Sequence, residues 1–114
     1  SIFEILMTMK KYKAYSFVSV LKSMKKKDFP LSFGQNGFTL VFDFPNYKNI
    51  TVILNKVNDI VLKYNGKIYL AKDSTIDKEK FKDLNSEFYN HKFIKLRKKS
   101  NYFFNSIQSK RLGL

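Results

Sequence analysis

The segment from Gly37 to Tyr64 constrains the fold most, because two different hydrophobic periods meet within it. Every second residue of its first part is apolar: Phe38, Leu40, Phe42 and Phe44. This period of two predicts a strand with one buried face, which Pro45 ends. From Asn49 to Tyr64 the apolar residues recur every three or four positions, which predicts an amphipathic helix. We expect the four strand residues to pack on one face of that helix: Ile53, Leu54, Val57 and Val61.

Three further segments extend this pattern along the chain. Ile2–Lys11 has helical spacing and ends in two lysines, which suit a helix C-terminus. Tyr15–Leu21 alternates like a strand with one aromatic face, and the basic run after it predicts a loop. Asn65-Gly66 predicts the stop of the long helix, and Lys67–Ala71 predicts a strand that returns to the sheet.

The order strand, strand, helix, strand predicts an α+β fold. It corresponds to half of a ferredoxin-like antiparallel sheet with a covering helix, because a helix between two strands normally lies across their sheet. After Asp73 the spacing predicts short helices over Ile76–Leu84 and Glu87–Lys99, then an apolar tail over Asn101–Leu114. We therefore expect a helical C-terminal tail that docks on another surface.

The net charge of +13 suggests phosphate-rich partners, but the kind of base present argues against them. Only Arg97 and Arg111 are arginines, whereas nucleic-acid sites favour the bidentate arginine fork. Lys, Asn, Ile, Phe and Tyr are abundant together, as an AT-rich genome would produce. The lysine runs are thus interpreted as solvated surface, and no nucleic acid is expected as a partner.

The residues that carry chemistry form no complete site within the chain. There is no cysteine, which excludes disulfides and thiolate sites and favours a cytoplasmic location. His91, the single histidine, is interpreted as a surface residue, and no metal site is predicted. The carboxylates of Asp73, Asp77 and Asp83 are interpreted as helix caps or first-turn acids. The four glycines form no phosphate-cradling loop.

An RNA-binding alternative rests on the strand Gly37–Phe44, which resembles the aromatic stacking strand of an RNA-recognition motif. Asn36 stands where that motif has a base, and Leu40 stands where it has a stacking ring. A buried strand with a phenylalanine face accounts for the same alternation. A small basic RNA-binding module on a ferredoxin-like sheet remains the alternative from another functional class.

Several short phrases occur in a fixed order along the chain: Pro30-Leu31-Ser32-Phe33, Asp43-Phe44-Pro45, Tyr69-Leu70-Ala71-Lys72-Asp73 and Arg111-Leu112-Gly113-Leu114. Together they resemble the C-terminal quarter of the FAD-linked oxidases of the vanillyl-alcohol-oxidase superfamily, and most of all the decaprenylphosphoryl-ribose oxidase group within it. The resemblance extends over nearly the whole chain.

The resemblance implies FAD-dependent oxidation of a secondary alcohol of a sugar or sugar phosphate, including polyprenyl-phosphate sugars, to a ketone. Residues 1–72 would then be the C-terminal part of the substrate (cap) domain. Residues 73–114 would be a helical tail that packs on an N-terminal FAD-binding domain, so the isolated chain should be inactive. A peripheral membrane contact is a further expectation. An aldonolactone oxidase is an alternative, although that group has a histidine-containing strand where this chain has Leu70–Asp73.

The resemblance also implies which residues form the site. Tyr69 and Lys72 correspond to residues that face the flavin and substrate, so both are candidate catalytic and cofactor-binding residues. Lys22 corresponds to an active-site lysine, and Thr39 and Val41 are further candidate substrate-binding residues, Val41 replacing a cysteine found in some members. A lysine ammonium beside the flavin N1 and C2 carbonyl would stabilise the negative charge that develops as hydride reaches N5.

Overall fold

A computed structural model describes residues 1–27, 32–85 and 92–114, which form an α+β fold of one antiparallel sheet and several helices. In chain order the elements are α1 (Ile2–Lys11), β1 (Val18–Met24), β2 (Gly37–Asp43), α2 (Ile50–Lys63), α3 (Lys78–Leu84), α4 (Lys92–Lys99) and α5 (Ile107–Leu112). Pro30-Leu31, His91 and the start of the predicted helix Glu87–Lys99 lie outside the described residues.

The elements with the clearest periodicity are confirmed. Helix α1 has the predicted bounds, and β2 and α2 agree with their predictions to within one residue at each end. Asp77 is confirmed as a helix cap, since its carboxylate accepts the Lys80 N–H at 2.8 Å at the start of α3. The prediction for Asp83 is wrong, because it lies in the last turn of α3.

Strand β1 begins three residues later than predicted. The Ser16 hydroxyl accepts the Asp43 N–H at 2.9 Å and donates to the Val18 carbonyl at 2.6 Å. At this end of the sheet the Ser16 side chain therefore takes the place of a backbone hydrogen-bonding partner. Tyr15 and Phe17 precede the strand and are exposed, so the predicted aromatic face does not form. At its other end β1 continues to Met24, which pairs with Gly37.

The predicted strand Lys67–Ala71 is wrong. Within the described residues the sheet has two strands, and this segment has no regular secondary structure before it turns between Tyr69 and Lys72. Ile68 and Leu70 pack on a hydrophobic cluster built by helices, so their apolar surface is buried without a strand partner. Gln108 from α5 donates to the Leu70 carbonyl. Packing against helices and a hydrogen bond from the Gln108 side chain therefore replace the backbone hydrogen bonds of the expected strand.

The first hydrophobic cluster joins the sheet to α1 and α2. Leu40, Phe42 and Phe44 pack against buried residues of the two helices and the turn between α1 and β1: Ile5, Met9, Ala14, Ile53 and Ile60. Val57 and Val61 complete the contact, so the expected packing of the strand on the helix is confirmed for these three strand residues with Ile53, Val57 and Val61. Leu54, the fourth helix residue of the prediction, is not in this cluster. The prediction is wrong for Phe38, which lies opposite Ser23 near the end of the sheet and is exposed.

The second cluster lies at the other side of α2. Its buried members come from α3, α5 and the segment before α3: Ile76, Phe81, Leu84 and Leu112. Val61 and Leu62 of α2 pack against it, so Val61 contacts both clusters. The C-terminal tail therefore has an apolar surface to cover within the chain itself, on which Leu112 is fully buried.

We expect Phe81→Ala to lower the free energy of unfolding by about 3 to 5 kcal/mol, because Phe81 is fully buried and its loss leaves a cavity. Urea denaturation measures this change. The matched control is Phe103→Ala, since Phe103 is largely exposed, and its effect should stay within about 0.5 kcal/mol. Equal effects of the two substitutions would contradict the second cluster.

A surface ion pair connects the start of α1 to the end of α2. The Lys63 ammonium lies 2.9 Å from the Glu4 carboxylate, which also accepts the Tyr64 hydroxyl at 2.8 Å. The hydrogen bonds from Lys63 and Tyr64 lower the pKa of Glu4, and the hydrogen bond to Glu4 raises the pKa of Lys63.

We expect this pair to contribute a pH-dependent stability with two limits. Because the pKa of Glu4 is lowered in the folded state, its contribution is present above the ordinary carboxyl pKa and is lost as pH falls through the folded value. The contribution of Lys63 is lost as pH rises through its raised pKa. Denaturation from pH 6 to about pH 3 should show a smaller acid loss for Glu4→Gln than for the parent. Identical acid slopes would refute the pairing.

Candidate functional site on the open face of the sheet

One face of the sheet packs on α1 and α2 through Leu40 and Phe42. We call the other face, on which Thr39 and Val41 are half-buried and Lys22 is exposed, the open face. Since Leu40 and Phe42 point to the helices, Thr39, Val41 and Asp43 lie on the other face. Lys22 is directly opposite Thr39 in the β1–β2 register, and directly opposed residues share a face. The structure therefore brings the three predicted substrate-binding residues, Lys22, Thr39 and Val41, together on the open face.

Lys72 lies at one end of this face. Its ammonium is 3.9 Å from the Asp43 carboxylate, and both side chains are more than half exposed. A pair this long and this exposed holds its members weakly, which leaves the Lys72 ammonium accessible to an anion. Asp43 is four residues along β2 from Thr39, a distance of about 13 Å. The open face thus carries a cation near each end, Lys22 and Lys72.

Tyr69 and Lys72 belong to a single turn. The N–H groups of Lys72 and Asp73 both donate to the Tyr69 carbonyl, at 3.0 and 3.1 Å. The Tyr69 ring lies on Phe33, with 4.3 Å between ring centroids and a tilt of 34°. The two predicted catalytic residues are therefore held three positions apart on one turn, and Tyr69 is half exposed beside an aromatic neighbour.

A partly buried ion pair fixes this turn to the C-terminal helix. Arg111 lies 2.9 Å from the Asp73 carboxylate, whose other oxygen accepts the N–H groups of Thr75 and Ile76, each at 3.0 Å. Arg111 also donates to the Ile76 carbonyl. The Asp73 side chain is only 5% exposed. Its predicted role as a cap or first-turn acid is wrong, since it holds the segment before α3 and not a helix end.

The phrase Arg111-Leu112-Gly113-Leu114 has a structural explanation at each of its first three positions. Arg111 pairs with Asp73, and Leu112 is fully buried in the second cluster. Gly113 ends α5 with φ 68°, a left-handed conformation that glycine adopts without steric cost. Two phrases of the resemblance, the one ending in Asp73 and the one beginning at Arg111, are therefore in direct contact although 38 residues separate them.

Arg97 is a buried arginine that the sequence patterns did not reveal. Its guanidinium donates to the carbonyls of Phe104 and Leu114, at 2.8 and 3.0 Å, and to the Asn105 side chain at 2.8 Å. These bonds tie α4 to the tail around a cavity of about 390 Å³ that Leu70 also lines. Arg97 lies within a basic run, and nothing local distinguishes it from its solvated neighbours.

Two other features are absent from the described part of the chain. Residues 1–27, 32–85 and 92–114 contain no group of three or more histidines and carboxylates arranged to hold a metal ion. Over the same ranges no helix combines the length and the apolar composition that crossing a bilayer requires. No protein-family model matches the chain.

We expect Arg111→Gln to lower the free energy of unfolding by roughly 3 kcal/mol, the lower end for a broken buried pair, because Arg111 is 27% exposed. The amides of Thr75 and Ile76 should exchange hydrogen faster, since Asp73 loses the partner that orients it. Hydrogen exchange read by NMR measures both effects. Lys110→Gln is the control on the same helix and should leave these amides unchanged. Unaltered exchange in Arg111→Gln would show that the turn does not depend on this pair.

Proposed function

We propose that this chain is the C-terminal part of an FAD-dependent oxidoreductase that oxidises a secondary alcohol of a sugar or sugar phosphate to a ketone. The observation that carries the proposal is the direct contact between two phrases of the resemblance, through the Asp73–Arg111 pair. That pair holds the turn on which Tyr69 and Lys72 lie. Two of the sequence segments that carry the resemblance therefore contact each other in the fold, in addition to following one another along the chain.

In this proposal Tyr69 and Lys72, the two site residues on the turn, contact the edge of the flavin ring. Both residues would lie beside FAD, which would supply the acceptor for a hydride from the carbinol carbon of the substrate, the hydroxyl proton passing to a base or to water. The exposed Lys72 ammonium, with only a weak carboxylate partner, can stabilise negative charge on an adjacent ring system. The Tyr69 hydroxyl can orient a sugar hydroxyl by hydrogen bonding.

In this proposal the open face of the sheet binds the substrate. Lys22 would pair with a phosphate, Thr39 would hydrogen-bond a sugar hydroxyl, and Val41 would contact the apolar face of the ring. The separation of about 13 Å along β2 between the Lys22 and Lys72 ends exceeds one sugar ring and suits a sugar that carries a phosphate. A polyprenyl-phosphate sugar would present the same head group.

The proposal assigns the two parts of the chain to two domains. Residues 1–72 would be the C-terminal part of a substrate (cap) domain, and residues 73–114 a helical tail against an FAD-binding domain of the same polypeptide. That domain would supply the pyrophosphate-binding backbone, because the glycines of this chain form no such loop. The absence of cysteine is compatible with a cytoplasmic enzyme, with a membrane contact at its periphery.

Different observations distinguish the two alternative functions, RNA binding and aldonolactone oxidation, from the proposed one. An RNA-stacking strand needs a row of exposed rings, whereas Leu40, Phe42 and Phe44 pack in the first cluster. No specific observation therefore favours the RNA-binding module. An aldonolactone oxidase would use the same cofactor on a different substrate, so a comparison of sugar phosphates and aldonolactones as reductants of the flavin distinguishes the two activities.

We expect Lys72→Ala to slow flavin reduction by about two to three powers of ten in the flavin-carrying protein that contains these residues, with FAD still bound. This is the usual effect of removing one preorganised electrostatic group. Anaerobic stopped-flow bleaching of the flavin band, with substrate in excess, measures the rate.

The control for this experiment is Lys48→Ala, at an exposed lysine ahead of α2. Lys63, the last residue of α2, is unsuitable as a control because it pairs with Glu4. Reduction of Lys72→Ala at the parent rate would refute the role of Lys72. A protein that carries no flavin at all would refute the proposed function.

We further expect the 114-residue chain by itself to bind FAD weakly or not at all. Equilibrium dialysis with absorbance detection of the flavin measures this binding. Stoichiometric flavin on the purified chain would contradict the assignment of cofactor binding to a separate domain.

A further inference from the structure

The orientation of the Tyr69 side chain depends on one aromatic contact. Its ring is half exposed, and within the described residues its hydroxyl has no hydrogen-bond partner. The Phe33 ring lies against it, with 4.3 Å between ring centroids and 34° between ring planes. Such a pair attracts beyond the area that the two rings bury. A half-exposed tyrosine without this neighbour would change rotamer freely, so Phe33 is the group that selects the Tyr69 orientation.

Phe33 belongs to a segment, residues 33–36, that is fixed to the chain just after β1. The backbone at Gly34 is buried so closely there that a Cβ atom on this residue would lie 3.2 Å from the Lys25 carbonyl oxygen. The Asn36 side chain accepts the Lys26 N–H at 2.9 Å. Phe33 therefore takes its position from the end of a strand and not from a free loop.

The same segment is also attached to the chain just after α2. The Gln35 side-chain amide donates to the Asn65 carbonyl at 3.3 Å. Because β1 carries Lys22, residues 33–36 connect the turn of Tyr69 with a strand of the open face. A change at Phe33 would therefore move the Tyr69 hydroxyl relative to Lys22 without altering either residue.

We propose that Phe33 is a positioning residue, whose ring holds the Tyr69 hydroxyl in the orientation that hydrogen-bonds a sugar hydroxyl. The inference rests on the proposed function, in which Tyr69 orients the substrate beside the flavin. Orientation of this kind affects the rate, because a reacting group displaced by about 1 Å can slow a reaction about a hundredfold. Phe33 touches neither substrate nor flavin in this proposal and acts only through Tyr69.

The first test measures flavin reduction in the flavin-carrying protein that contains these residues. We expect Phe33→Leu to lower the limiting rate about tenfold, because the Tyr69 ring then reaches its working orientation only part of the time. The substrate concentration at half the limiting rate should change less than about twofold, since Lys22 keeps its place. Phe33→Tyr, which keeps a ring, should restore the rate. Phe3→Leu, the same change at an exposed site on α1, is the control and should leave the rate unchanged.

The second test separates positioning from stability by a double-mutant cycle. If Phe33 acts through the Tyr69 hydroxyl, Phe33→Leu should change the rate less than about twofold once Tyr69→Phe has removed that hydroxyl. Gly34→Ala keeps both rings but crowds the backbone after β1, so it should slow the parent and not Tyr69→Phe. Equal losses in both backgrounds, or no loss in the parent, would overturn the inference.

Failure of the proposed function gives a different result. A parent protein that carries no flavin, or whose flavin no sugar or sugar phosphate reduces, refutes the proposed function and this inference together. A parent that is reduced, while Phe33→Leu is reduced equally fast, refutes the inference alone. In the 114-residue chain, NMR should show a nuclear Overhauser effect between the Phe33 and Tyr69 rings, and its absence would remove the contact on which the inference depends.

Discussion

Burial of helix α2 on two sides is the interaction on which the rest of the structure depends. Ile53 and Ile60 pack in the first cluster with the sheet and α1, while Leu62 packs in the second cluster with α3 and α5. Neither the sheet of the first cluster nor the short helices of the second would be stable alone. A two-stranded sheet and helices of six or seven residues are each marginally stable in water. Both therefore need the apolar surface that α2 presents, and Val61, which contacts both clusters, is where the two halves meet.

The candidate site follows from this division. Since α1 and α2 cover one face of the sheet, Lys22, Thr39 and Val41 are left on the other. The turn that carries Lys72 comes from the second half, where Asp73 is held by Arg111 and Leu70 by Gln108. The exposed contact between Lys72 and Asp43 contributes little stability, so the position of Lys72 is determined by the buried groups behind it. The packing of α5 against the segment after α2 therefore stabilises the fold and also positions the candidate site.

The sequence predicted the elements whose periodicity is long, and it failed where tertiary contacts decide. Helix α2 keeps one apolar stripe over four turns, so its pattern is clear without its partners. Ile68 and Leu70 alternate as strand residues do, yet they bury the same surface against helices. The contact between Asp73 and Arg111 spans 38 residues and leaves no local pattern. The site residues came from the family resemblance, and only the strand register showed that Lys22 lies opposite Thr39.

Charge illustrates the difference between composition and placement. An AT-rich coding sequence would explain why lysine is abundant but not where its partners lie. The first 91 residues hold all nine carboxylates, and several are paired across elements, as in Glu4 with Lys63 and Asp59 with Lys80. There the interpretation of lysine as solvated surface is sufficient. The segment 92–114 differs because it holds seven bases and no Asp or Glu, so a side-chain carboxylate partner must come from an earlier part of the chain, as Asp73 does for Arg111. The net charge therefore describes the composition, and only the pairing of individual bases shows how that charge is placed in the fold.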